Sequence, residues 1–479
     1  MMLPANKTKI ICTIGPASED LEVLRQMIQT GMNIARLNFS HGDFDSHEKV
    51  IRNLREAAEA TGKRLAIMAD LPGPKIRIGE LAQEPIELEK GDTFILTAQN
   101  ILGDKTRVSV SFDRLPRVVK TGDTLFINDG LIQIQVVAVN GEDVQCQVKI
   151  GGELRSRKGV NFPGIDLGIS AFTDHDRECL KFAMDQGLDA VSQSFVENSA
   201  DIEAVREAAT DMGRNPFIIA KIERAGALDH IDSILKAADG IMIARGDLGV
   251  EVPIERIAII QKQLMSQANS YEKPVITATH MLESMTYNRR PTRAEATDVA
   301  NAILDGTDCV MLSGESAVGK FPVQAVAMLV KIAESVEPHR PHYRLKENSQ
   351  SSAGDSAPTP TDLISLSVHA ALERTSPAAL IVPTHSGATA RKIAHFRHPV
   401  WITAVSSIPA TCQELQFSYG VFPVYMAEHQ EDWNAFADQW VRSHGLDGSL
   451  AILTEGPSRK HPEANNRLEF IDLQKVSNG

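Results

Sequence analysis

The sequence predicts a parallel (β/α)8 barrel that carries an inserted β domain and is followed by a second α/β domain. Eight short apolar runs alternate with helical patterns along most of the chain. This alternation is typical of a parallel sheet covered by helices. One interval between runs is too long for a single helix and contains turn signals instead, which predicts the insertion.

The eight apolar runs are the predicted barrel strands, because continuous apolar runs are typical of strands buried on both faces. They are Lys9–Ile14, Ile34–Asn38, Leu65–Asp70, Ala190–Phe195, Phe217–Glu223, Gly240–Asp247, Pro274–His280 and Cys309–Gly314. Residues 254–270 between two of them predict a helix, since one face carries Ile257, Ile260, Leu264 and Ala268. Thr292 and Glu295 predict a capping box that opens another helix.

The interval between Asp70 and Ala190 predicts the inserted domain. Alternating strands at Leu131–Val139 and Val144–Ile150 flank Asn140-Gly141, which is a hairpin signal. We therefore expect barrel segments at 1–73 and 171–345, with a small inserted β-barrel domain at 74–170.

Residues 346–479 predict a separate α/β domain. The segment Glu347–Pro360 is rich in Ser, Ala and Pro and predicts a linker or mobile loop. Beyond it, strands are predicted at Ala379–Pro383, Val400–Val405, Gly420–Tyr425, Ser449–Thr454 and Leu468–Leu473.

Composition favours a soluble globular protein, with 43% hydrophobic and 23% charged residues. No apolar run reaches the ~18 residues of a membrane-spanning helix, and the start lacks a signal-peptide stretch. A net charge of −13 argues against general nucleic-acid binding. The five cysteines are scattered without zinc-ligand spacing, which favours reduced thiols and a cytoplasmic location.

Three charged residues follow the apolar parts of two neighbouring predicted strands: Lys221, Glu223 and Asp247. Charges at strand carboxyl ends can simply face solvent, but such ends also form the mouth of an α/β core, where these folds place their chemistry. Mg²⁺ prefers one or two protein carboxylates, and a lysine beside it can neutralise a phosphoryl group in transfer. The Gly246-Asp247 step also offers backbone N–H groups for a substrate carboxylate.

Further polar groups follow the second and third predicted strands. Arg36-Leu-Asn-Phe-Ser-His41 places an arginine, which binds phosphate bidentately, beside Asn38 and Ser40. Asp70-Leu-Pro-Gly-Pro-Lys-Ile-Arg77 is either a stiff domain boundary with solvated charges or a hinge that brings Asp70, Lys75 and Arg77 over the barrel mouth.

Hydroxyl groups mark two more places. Thr277–Met281 and Ser313–Glu315 put hydroxyls and a carboxylate at the barrel mouth, as a proton relay requires, although ordinary strand and turn propensities explain them equally well. In the last domain, Thr384-His-Ser-Gly-Ala-Thr389 follows a strand and opens a helix. It is either an ordinary capped helix or a phosphate-binding turn.

These residues, in this order, resemble the pyruvate kinase family. The motifs match in order from Lys9 to about His339. The predicted domain plan also agrees with the family: a barrel, an insertion after its third strand and a C-terminal α/β domain. The matching segments are Ile34–Gly42, Pro72–Arg77, Ala220–Glu223, Ala244–Gly249, Thr279–Met285 and Asn288–Asn301. The resemblance implies transfer of the phosphoryl group of phosphoenolpyruvate to ADP, giving pyruvate and ATP.

The resemblance also implies roles for individual residues. Glu223 and Asp247 would bind Mg²⁺ or Mn²⁺, Lys221 would stabilise the moving phosphoryl group and Arg36 would contact the phosphate. The substrate carboxylate would be held by the backbone of Gly246 and Asp247 with Thr279, and the enolate protonated near Thr279, Ser313 and Glu315. The residues on the nucleotide side would be Asn38, His41, Arg77 and His175.

Three positions depart from the family pattern. Many members bind K⁺ through residues matching Asn38, Ser40, Asp70 and the carbonyl of Leu71. They carry Glu where this chain has Lys75, and usually Thr where it has Leu71. A fixed ammonium can replace a monovalent cation, so we expect activity without K⁺. His175 stands where members often carry a nucleotide-binding lysine. The usually glycine-rich loop at 454–466 is altered.

Residues Thr384, His385, Ser386, Gly387 and Thr389 match the effector loop of the family, so activation by a sugar phosphate or a nucleotide is expected, in a homotetramer. Two alternatives remain open. A Mg²⁺-dependent barrel lyase would need the carboxylates but not the insertion or a lysine aimed at phosphorus. A non-catalytic metabolite sensor would be favoured by loss of Lys221 or a metal carboxylate, and all are present.

Overall fold

The computed structural model describes residues 2–340, 358–428, 430–456 and 465–476. The predicted linker at 347–360 lies almost wholly outside these residues, as do residues 457–464 of the altered loop. The predicted domain limits stay a prediction.

The chain opens with alternating strands and helices. These are β1 (Lys9–Thr13), α1 (Leu21–Thr30), β2 (Ile34–Asn38), α2 (Phe44–Thr61) and β3 (Ala66–Leu71). Asp20 begins α1 by accepting from the N–H groups of Glu22 and Val23, and Gly31 ends it at a φ of 142°. All residues of the three strands are buried except Asn38, which is half-buried, as expected for a parallel sheet covered on both faces.

The inserted region follows β3 and folds around its own apolar core, from Ile76 to Leu167. Its elements are β4 (Ile86–Leu88), β5 (Thr93–Thr97), β6 (Arg107–Ser109), α3 (Leu115–Val118), β7 (Thr124–Ile127), β8 (Ile132–Asn140), β9 (Asp143–Ile150), β10 (Gly152–Leu154) and β11 (Val160–Asn161). Six strands pair in the order β11-β7-β8-β9-β5-β6, while β4 and β10 pair separately. Isolated bridges join Arg77 to Gly159 and Ile78 to Val110. Residues 77 and 78 thus connect the two edges of the sheet and close it.

The predicted hairpin is present, with its turn shifted by one residue. Asn140 still belongs to β8, and the loop consists of Gly141 and Glu142. Gly141 has a φ of 63°, a conformation that glycine adopts without steric cost.

The chain then returns to the barrel. The elements are α4 (Asp174–Asp185), β12 (Ala190–Gln193), α5 (Ser199–Asp211), β13 (Phe217–Ile222), α6 (Gly226–Asp229), α7 (Ile231–Ala237), β14 (Gly240–Ala244), α8 (Arg245–Glu251), α9 (Ile257–Ser270), β15 (Val275–Ala278), α10 (Arg293–Asp305), β16 (Cys309–Leu312), α11 (Gly314–Ala317) and α12 (Pro322–Val336). Short 3-10 turns lie at Ile254–Arg256, Glu283–Thr286 and Glu337–His339. Among the described residues, eight parallel strands close in the order β1-β16-β15-β14-β13-β12-β3-β2, which confirms the predicted fold.

Six of the predicted barrel strands end earlier than expected, and two of them give way to turns that hold candidate site residues. The run Gly240–Asp247 leaves the sheet after Ala244, and Asp247 lies in the first turn of α8. The run Pro274–His280 ends at Ala278, because Thr279 and His280 adopt φ values of 71° and 55° that no strand accommodates. Apolarity alone did not reveal these turns.

Both ends of the insertion are anchored to helix capping boxes of the barrel. Asp176, in the capping box of α4, accepts from the Gly73 N–H at 2.9 Å. Asp201, in the capping box of α5, accepts from the Ala171 N–H at 3.1 Å. Each carboxylate therefore satisfies helix N–H groups and fixes one connection to the inserted region.

The C-terminal region forms a second sheet. Its described elements are α13 (Pro360–Leu372), β17 (Ala379–Pro383), α14 (Ala388–Ala394), β18 (Ile402–Ser406), α15 (Pro409–Glu414), β19 (Val421–Tyr425), α16 (Trp433–His444), β20 (Leu450–Glu455), β21 (Arg467–Asp472) and α17 (Leu473–Val476). A 3-10 turn lies at Leu415–Phe417. The described strands pair in the order β19-β18-β17-β20-β21, and only β21 among them runs antiparallel to its neighbour.

Phe417 joins this second sheet to the barrel. It is fully buried within the core inside the barrel, where its ring stacks on Phe217 at a centroid distance of 5.2 Å. Cys309 Sγ lies 3.4 Å from the Phe417 carbonyl, and Lys9 Nζ donates to the Val421 carbonyl at 2.6 Å. Lys9, Phe217 and Cys309 are the first residues of their strands, so the C-terminal region covers the amino end of the barrel. The inserted region lies at the opposite, carboxyl end.

Two predictions from composition can be compared with the described residues. No helix among them is long and apolar enough to span a membrane. All five cysteines fall within them, and each is buried and free of a disulfide.

We expect Phe417→Ala to lower the free energy of unfolding by about 3–5 kcal/mol, because it opens a cavity inside the barrel core. Urea unfolding followed by circular dichroism measures this change. As a control, Leu131→Ala removes a leucine that is 66% exposed and should change the value by no more than about 0.5 kcal/mol. Equal effects of the two substitutions would contradict the role assigned to Phe417.

Candidate active site

The Lys221 ammonium lies at the carboxyl end of β13, surrounded by oxygen atoms. Its Nζ is 2.9 Å from Glu223 Oε1, 3.3 Å from Asp70 Oδ1 and 2.7 Å from Ser194 Oγ. Burial lowers the pKa of Lys221, but the charges of Asp70 and Glu223 outweigh this effect and leave the pKa raised. The lysine is therefore held as a cation in a largely water-free position.

Glu223 and Asp247 form the carboxylate side of the site. Glu223 is buried, and its Oε2 accepts from the Phe195 N–H at 2.8 Å. Burial raises the pKa of Glu223, the Lys221 ammonium opposes the rise and Asp247 adds to it. When one carboxylate raises the pKa of another, a cation bound between the two stabilises their ionised forms.

A cavity of about 450 Å³ opens beside these carboxylates. Barrel residues Phe195, Glu223 and Asp247 line it together with Lys75 and Gly159 of the inserted region. No group of three or more His, Cys, Asp or Glu side chains among the described residues could hold a metal ion. Two carboxylates nonetheless fit Mg²⁺, which usually keeps water and substrate oxygens as its other ligands.

Arg36 and Asp70 extend the network along the barrel mouth. Arg36 forms an ion pair with Asp70 and donates through Nη1 to Thr13 Oγ1 at 2.8 Å. Ser192 Oγ donates to Asp70 Oδ1 at 2.6 Å. Burial raises the pKa of Asp70, but Arg36 and Lys221 lower it by more, so this carboxyl is ionised at neutral pH. Asp70 thus aligns the two cations side by side.

Gly246 and Thr279 meet where β14 and β15 end. A Cβ atom at Gly246 would lie 2.7 Å from Thr279 Cγ2, so only glycine fits there. Thr279 has a φ of 71°, and Arg245 Nη2 donates to its carbonyl at 2.9 Å. The predicted pair is therefore brought into direct contact, and Arg245 supports the strained turn.

Ser313 and Glu315 lie on the neighbouring turn after β16. Glu315 is fully buried, and its two oxygens accept from the N–H groups of Leu282 and Ser313 at 2.9 and 2.8 Å. Burial raises its pKa. These contacts favour a positioning role for Glu315, because its carboxylate ties together the turns after β15 and β16. Its part in proton delivery stays a prediction.

The residues predicted on the nucleotide side lie on three different elements. Asn38 ends β2, and His41 follows it as an exposed residue whose carbonyl accepts from His47 Nε2 at 2.9 Å. Arg77 lies in the inserted region, where its Nη1 donates to the Arg157 carbonyl at 3.1 Å. His175 is exposed in the first turn of α4. Their contacts with a nucleotide stay a prediction.

The residues that match the K⁺ ligands of other members, and Lys75, form hydrogen bonds within the protein. Asn38 Oδ1 accepts from the N–H of Ser40, itself exposed, at 3.2 Å. The Leu71 carbonyl accepts from Ser194 Oγ at 2.7 Å. Lys75 is an exposed residue at the cavity wall, and its backbone N–H donates to Gly73.

The predicted effector loop forms a tight turn before α14. Thr384 Oγ1 accepts from the Gly387 N–H at 2.9 Å, and Gly387 has a φ of 79°. Arg391 Nη2 donates to the Ser386 carbonyl at 2.7 Å, and Thr411 Oγ1 donates to the His385 carbonyl at 2.8 Å. Thr389 lies in the first turn of α14.

Sequence patterns missed several residues that the structure places in the network. Ser194 and Ser192 contact Lys221 and Asp70, while Thr13 contacts Arg36. Ser192 and Ser194 alternate at the end of an apolar run, and the same alternation marked Asn38 and Ser40. Thr13 carries no comparable signal, because a threonine in a strand is ordinary.

Comparisons with known proteins agree with this arrangement. The family model described as "Pyruvate kinase, barrel domain" matches residues 5–326, and that described as "Pyruvate kinase, alpha/beta domain" matches residues 362–470. The chain is 46% identical to a pyruvate kinase of Thermococcus litoralis, covering 95% of this chain and 96% of the relative. It is 43% identical to a pyruvate kinase of Geobacillus stearothermophilus, covering 94% of this chain and 77% of the relative.

A solved structure shares the whole architecture. The crystal structure of a pyruvate kinase from Cryptosporidium parvum matches with a TM-score of 0.89 and 37% identity. The match covers 98% of this chain and 96% of the other. The closed barrel, the insertion after its third strand and the C-terminal sheet correspond throughout, and the matched models account for most of the sequence. The chain belongs to the pyruvate kinase family.

Proposed function

We propose that this pyruvate kinase transfers the phosphoryl group of phosphoenolpyruvate to ADP at the mouth of the barrel, with Lys221 on the moving group. The observation that carries the assignment is the Lys221 ammonium, buried between Asp70, Glu223 and Ser194 beside the cavity. Phosphoryl transfer depends mainly on positioning and on charges placed in advance where negative charge accumulates.

The position of each charged residue supports a particular role in the reaction. Arg36 is aligned with Lys221 through Asp70, so the two cations can hold a phosphoryl group from one side. Glu223 and Asp247 would hold Mg²⁺ or Mn²⁺, which when bound supplies charge neutralisation for the phosphoryl and enolate oxygens. Burial of Lys221 strengthens its interaction with a transferring group, because little water competes for it.

The substrate carboxylate would lie in the turn that Gly246, Asp247 and Thr279 form. Backbone N–H groups at the start of α8 and the Thr279 hydroxyl are suitable donors, and the absence of a side chain at Gly246 keeps them accessible. Protonation of the enolate is assigned to the region of Thr279, Ser313 and Glu315, with Glu315 orienting the turn.

The nucleotide would lie between the barrel and the inserted region, near Asn38, His41, Arg77 and His175. We further propose a homotetramer in the cytoplasm, with the barrel at 1–73 and 171–345, the inserted domain at 74–170 and the C-terminal domain at 346–479. Sedimentation velocity of the purified chain measures the assembly.

Lys221→Met should lower kcat for phosphoenolpyruvate and ADP by about a hundredfold to a thousandfold, as expected for loss of one donor placed at the developing charge. Affinity for Mn²⁺ should persist, because the substitution leaves Glu223 and Asp247 in place. A lactate dehydrogenase-coupled assay measures kcat, and calorimetry measures Mn²⁺ binding.

The matched control is Lys63→Met, which removes a lysine that donates to the Gln29 carbonyl away from the cavity. It should retain normal kcat. Near-normal kcat in Lys221→Met would refute the role of this lysine. A wild-type chain that yields no ATP from phosphoenolpyruvate and ADP would favour the lyase alternative.

Independence from K⁺ is supported by the contacts of the groups that would bind it. Asp70 pairs with Arg36 and Lys221, and both the Leu71 carbonyl and Asn38 Oδ1 already accept from protein donors. Lys75 adds positive charge at the cavity wall. We therefore assign to Lys75 the charge that K⁺ supplies in other members.

Activity in buffer containing only Na⁺ should match activity in K⁺ buffer of equal ionic strength. Lys75→Glu should lower activity in Na⁺ and make K⁺ an activator, because the reversed charge then needs a mobile cation. The control, Lys90→Glu, reverses an exposed charge of the inserted region away from the cavity and should show no such dependence. Activation of the unmodified enzyme many-fold by K⁺ would rule out this proposal.

Activation by a phosphorylated effector at Thr384–Thr389 is supported by a connection from this loop to the barrel. Lys392, on the helix that follows the loop, pairs with Glu272 at 2.6 Å and with Asp362 at 2.5 Å. Glu272 precedes β15, which ends at Ala278, directly before Thr279. An effector that shifts α14 would therefore act on a strand of the active site.

Thr384→Ala combined with Ser386→Ala should abolish activation by whichever sugar phosphate or nucleotide activates the unmodified enzyme, while the rate without effector is retained. Initial rates against phosphoenolpyruvate, with and without a panel of such compounds, measure this. Ser367→Ala, which removes a hydroxyl of α13 bonded to the Leu363 carbonyl, is the control. An unchanged activation curve in the double variant would locate the effector site elsewhere.

A further inference from the structure

Ser194, the first residue after β12, joins the active-site lysine to the start of the inserted region. Its hydroxyl is buried, lies 2.7 Å from Lys221 Nζ and lies 2.7 Å from the Leu71 carbonyl. An ammonium can only donate and a carbonyl can only accept. The hydroxyl proton must therefore point to Leu71, which leaves an oxygen lone pair facing Lys221.

The Lys221 ammonium has charged partners on two sides and this hydroxyl on the third. The contact with Ser194 Oγ, at 2.7 Å, is shorter than those with Glu223 Oε1 at 2.9 Å and Asp70 Oδ1 at 3.3 Å. Charges attract over distance with little directional preference, whereas a hydrogen bond to a hydroxyl is directional. Ser194 thus selects where the ammonium sits between its two carboxylates.

The next residue holds the metal carboxylate. Phe195 adopts a φ of 57°, and its N–H donates to Glu223 Oε2 at 2.8 Å. A left-handed conformation in a residue with a side chain is strained and persists only when its surroundings enforce it. The two-residue turn Ser194–Phe195 therefore positions both Lys221 and Glu223.

The start of the inserted region packs directly on this turn. A Cβ atom at Gly73 would lie 2.9 Å from Phe195 Cδ2 and 3.1 Å from Ser194 Cβ. Gly73 is itself fixed by Asp176 of α4. With so little free space, a displacement of residues 71–73 must move the turn that holds Lys221.

We propose that Ser194 is a positioning residue that aims the Lys221 ammonium and couples it, through the Leu71 carbonyl, to the start of the inserted region. The proposal rests on the role assigned to Lys221 in phosphoryl transfer. In the described arrangement of residues 71–73, the Ser194 hydroxyl donates to the Leu71 carbonyl and its oxygen accepts from Lys221. The Lys221 ammonium is then held in one direction. When residues 71–73 shift, Ser194 loses its acceptor and the lysine loses its fixed direction.

Ser194→Ala tests this proposal. We expect kcat to fall about tenfold to a hundredfold, because the Lys221 ammonium remains but loses the hydrogen bond that orients it. The KM for phosphoenolpyruvate and the affinity for Mn²⁺ should stay within about threefold, since the loss falls mainly on the transition state.

The split between kcat and KM distinguishes positioning from a general structural effect. A general loosening of the site would raise the KM for phosphoenolpyruvate and weaken Mn²⁺ binding together with the fall in kcat. A Lys221 ammonium that has lost its fixed direction should lower kcat alone.

Two further variants keep the test decisive if the alanine variant folds poorly. Ser194→Cys keeps a side chain of similar size but offers only a weak acceptor, and should show the same loss of kcat with little change in KM. Thr97→Val removes a fully buried hydroxyl of β5 that donates to the Glu142 carbonyl at 3.4 Å, and Thr97 does not line the cavity. It should change the melting temperature while kcat is retained.

Unchanged kcat in both Ser194 variants would overturn the proposal. A parallel loss of Mn²⁺ affinity would also overturn it, because it would show an effect through Glu223. Lys221→Met, measured in parallel, distinguishes failure of the role assigned to Lys221 from failure of the coupling through Ser194. If Lys221→Met is active, the role of the lysine fails. If Lys221→Met is inactive and the Ser194 variants are normal, only the coupling through Ser194 fails.

Discussion

A lysine ammonium buried among carboxylates at the carboxyl end of the barrel is the interaction on which the other parts of the site depend. Removing such charges from water is costly unless each one is paired and hydrogen-bonded. Lys221 meets that condition through Asp70, Glu223 and Ser194, and Asp70 in turn aligns Arg36. These residues come from different strands and turns, so the network is complete only when the barrel is closed.

The two ends of the barrel serve different purposes for this network. At the amino end, Phe417 packs inside the barrel against Phe217, and this contact joins the C-terminal region to the beginnings of the strands. At the carboxyl end, the insertion covers a cavity rather than a core, and both of its connections are fixed to helix caps by Asp176 and Asp201. The charged residues of the candidate site therefore lie at the carboxyl end of the barrel, where such folds place their chemistry.

Most of the fold could be predicted from sequence, because buried parallel strands leave uninterrupted apolar runs and the hairpin leaves a turn signal. The exceptions with consequences for function lie at the candidate site. Asp247 belongs to a helical turn and not to a strand end, and Thr279 adopts a left-handed conformation. Local propensity argues against such conformations, and tertiary packing imposes them where function requires a tight turn.

By itself, the sequence showed that Lys221, Glu223 and Asp247 lie at or shortly after the ends of two neighbouring apolar runs, and so predicted that they gather at one mouth. It also determined the family, through motifs whose order unrelated barrels do not share. The tertiary structure alone decided which oxygens surround the Lys221 ammonium, that Ser194 is one of them, and that Gly73 presses on the same turn. The reason is physical: alternation and apolarity report burial along one strand, whereas contacts between strands depend on register and closure.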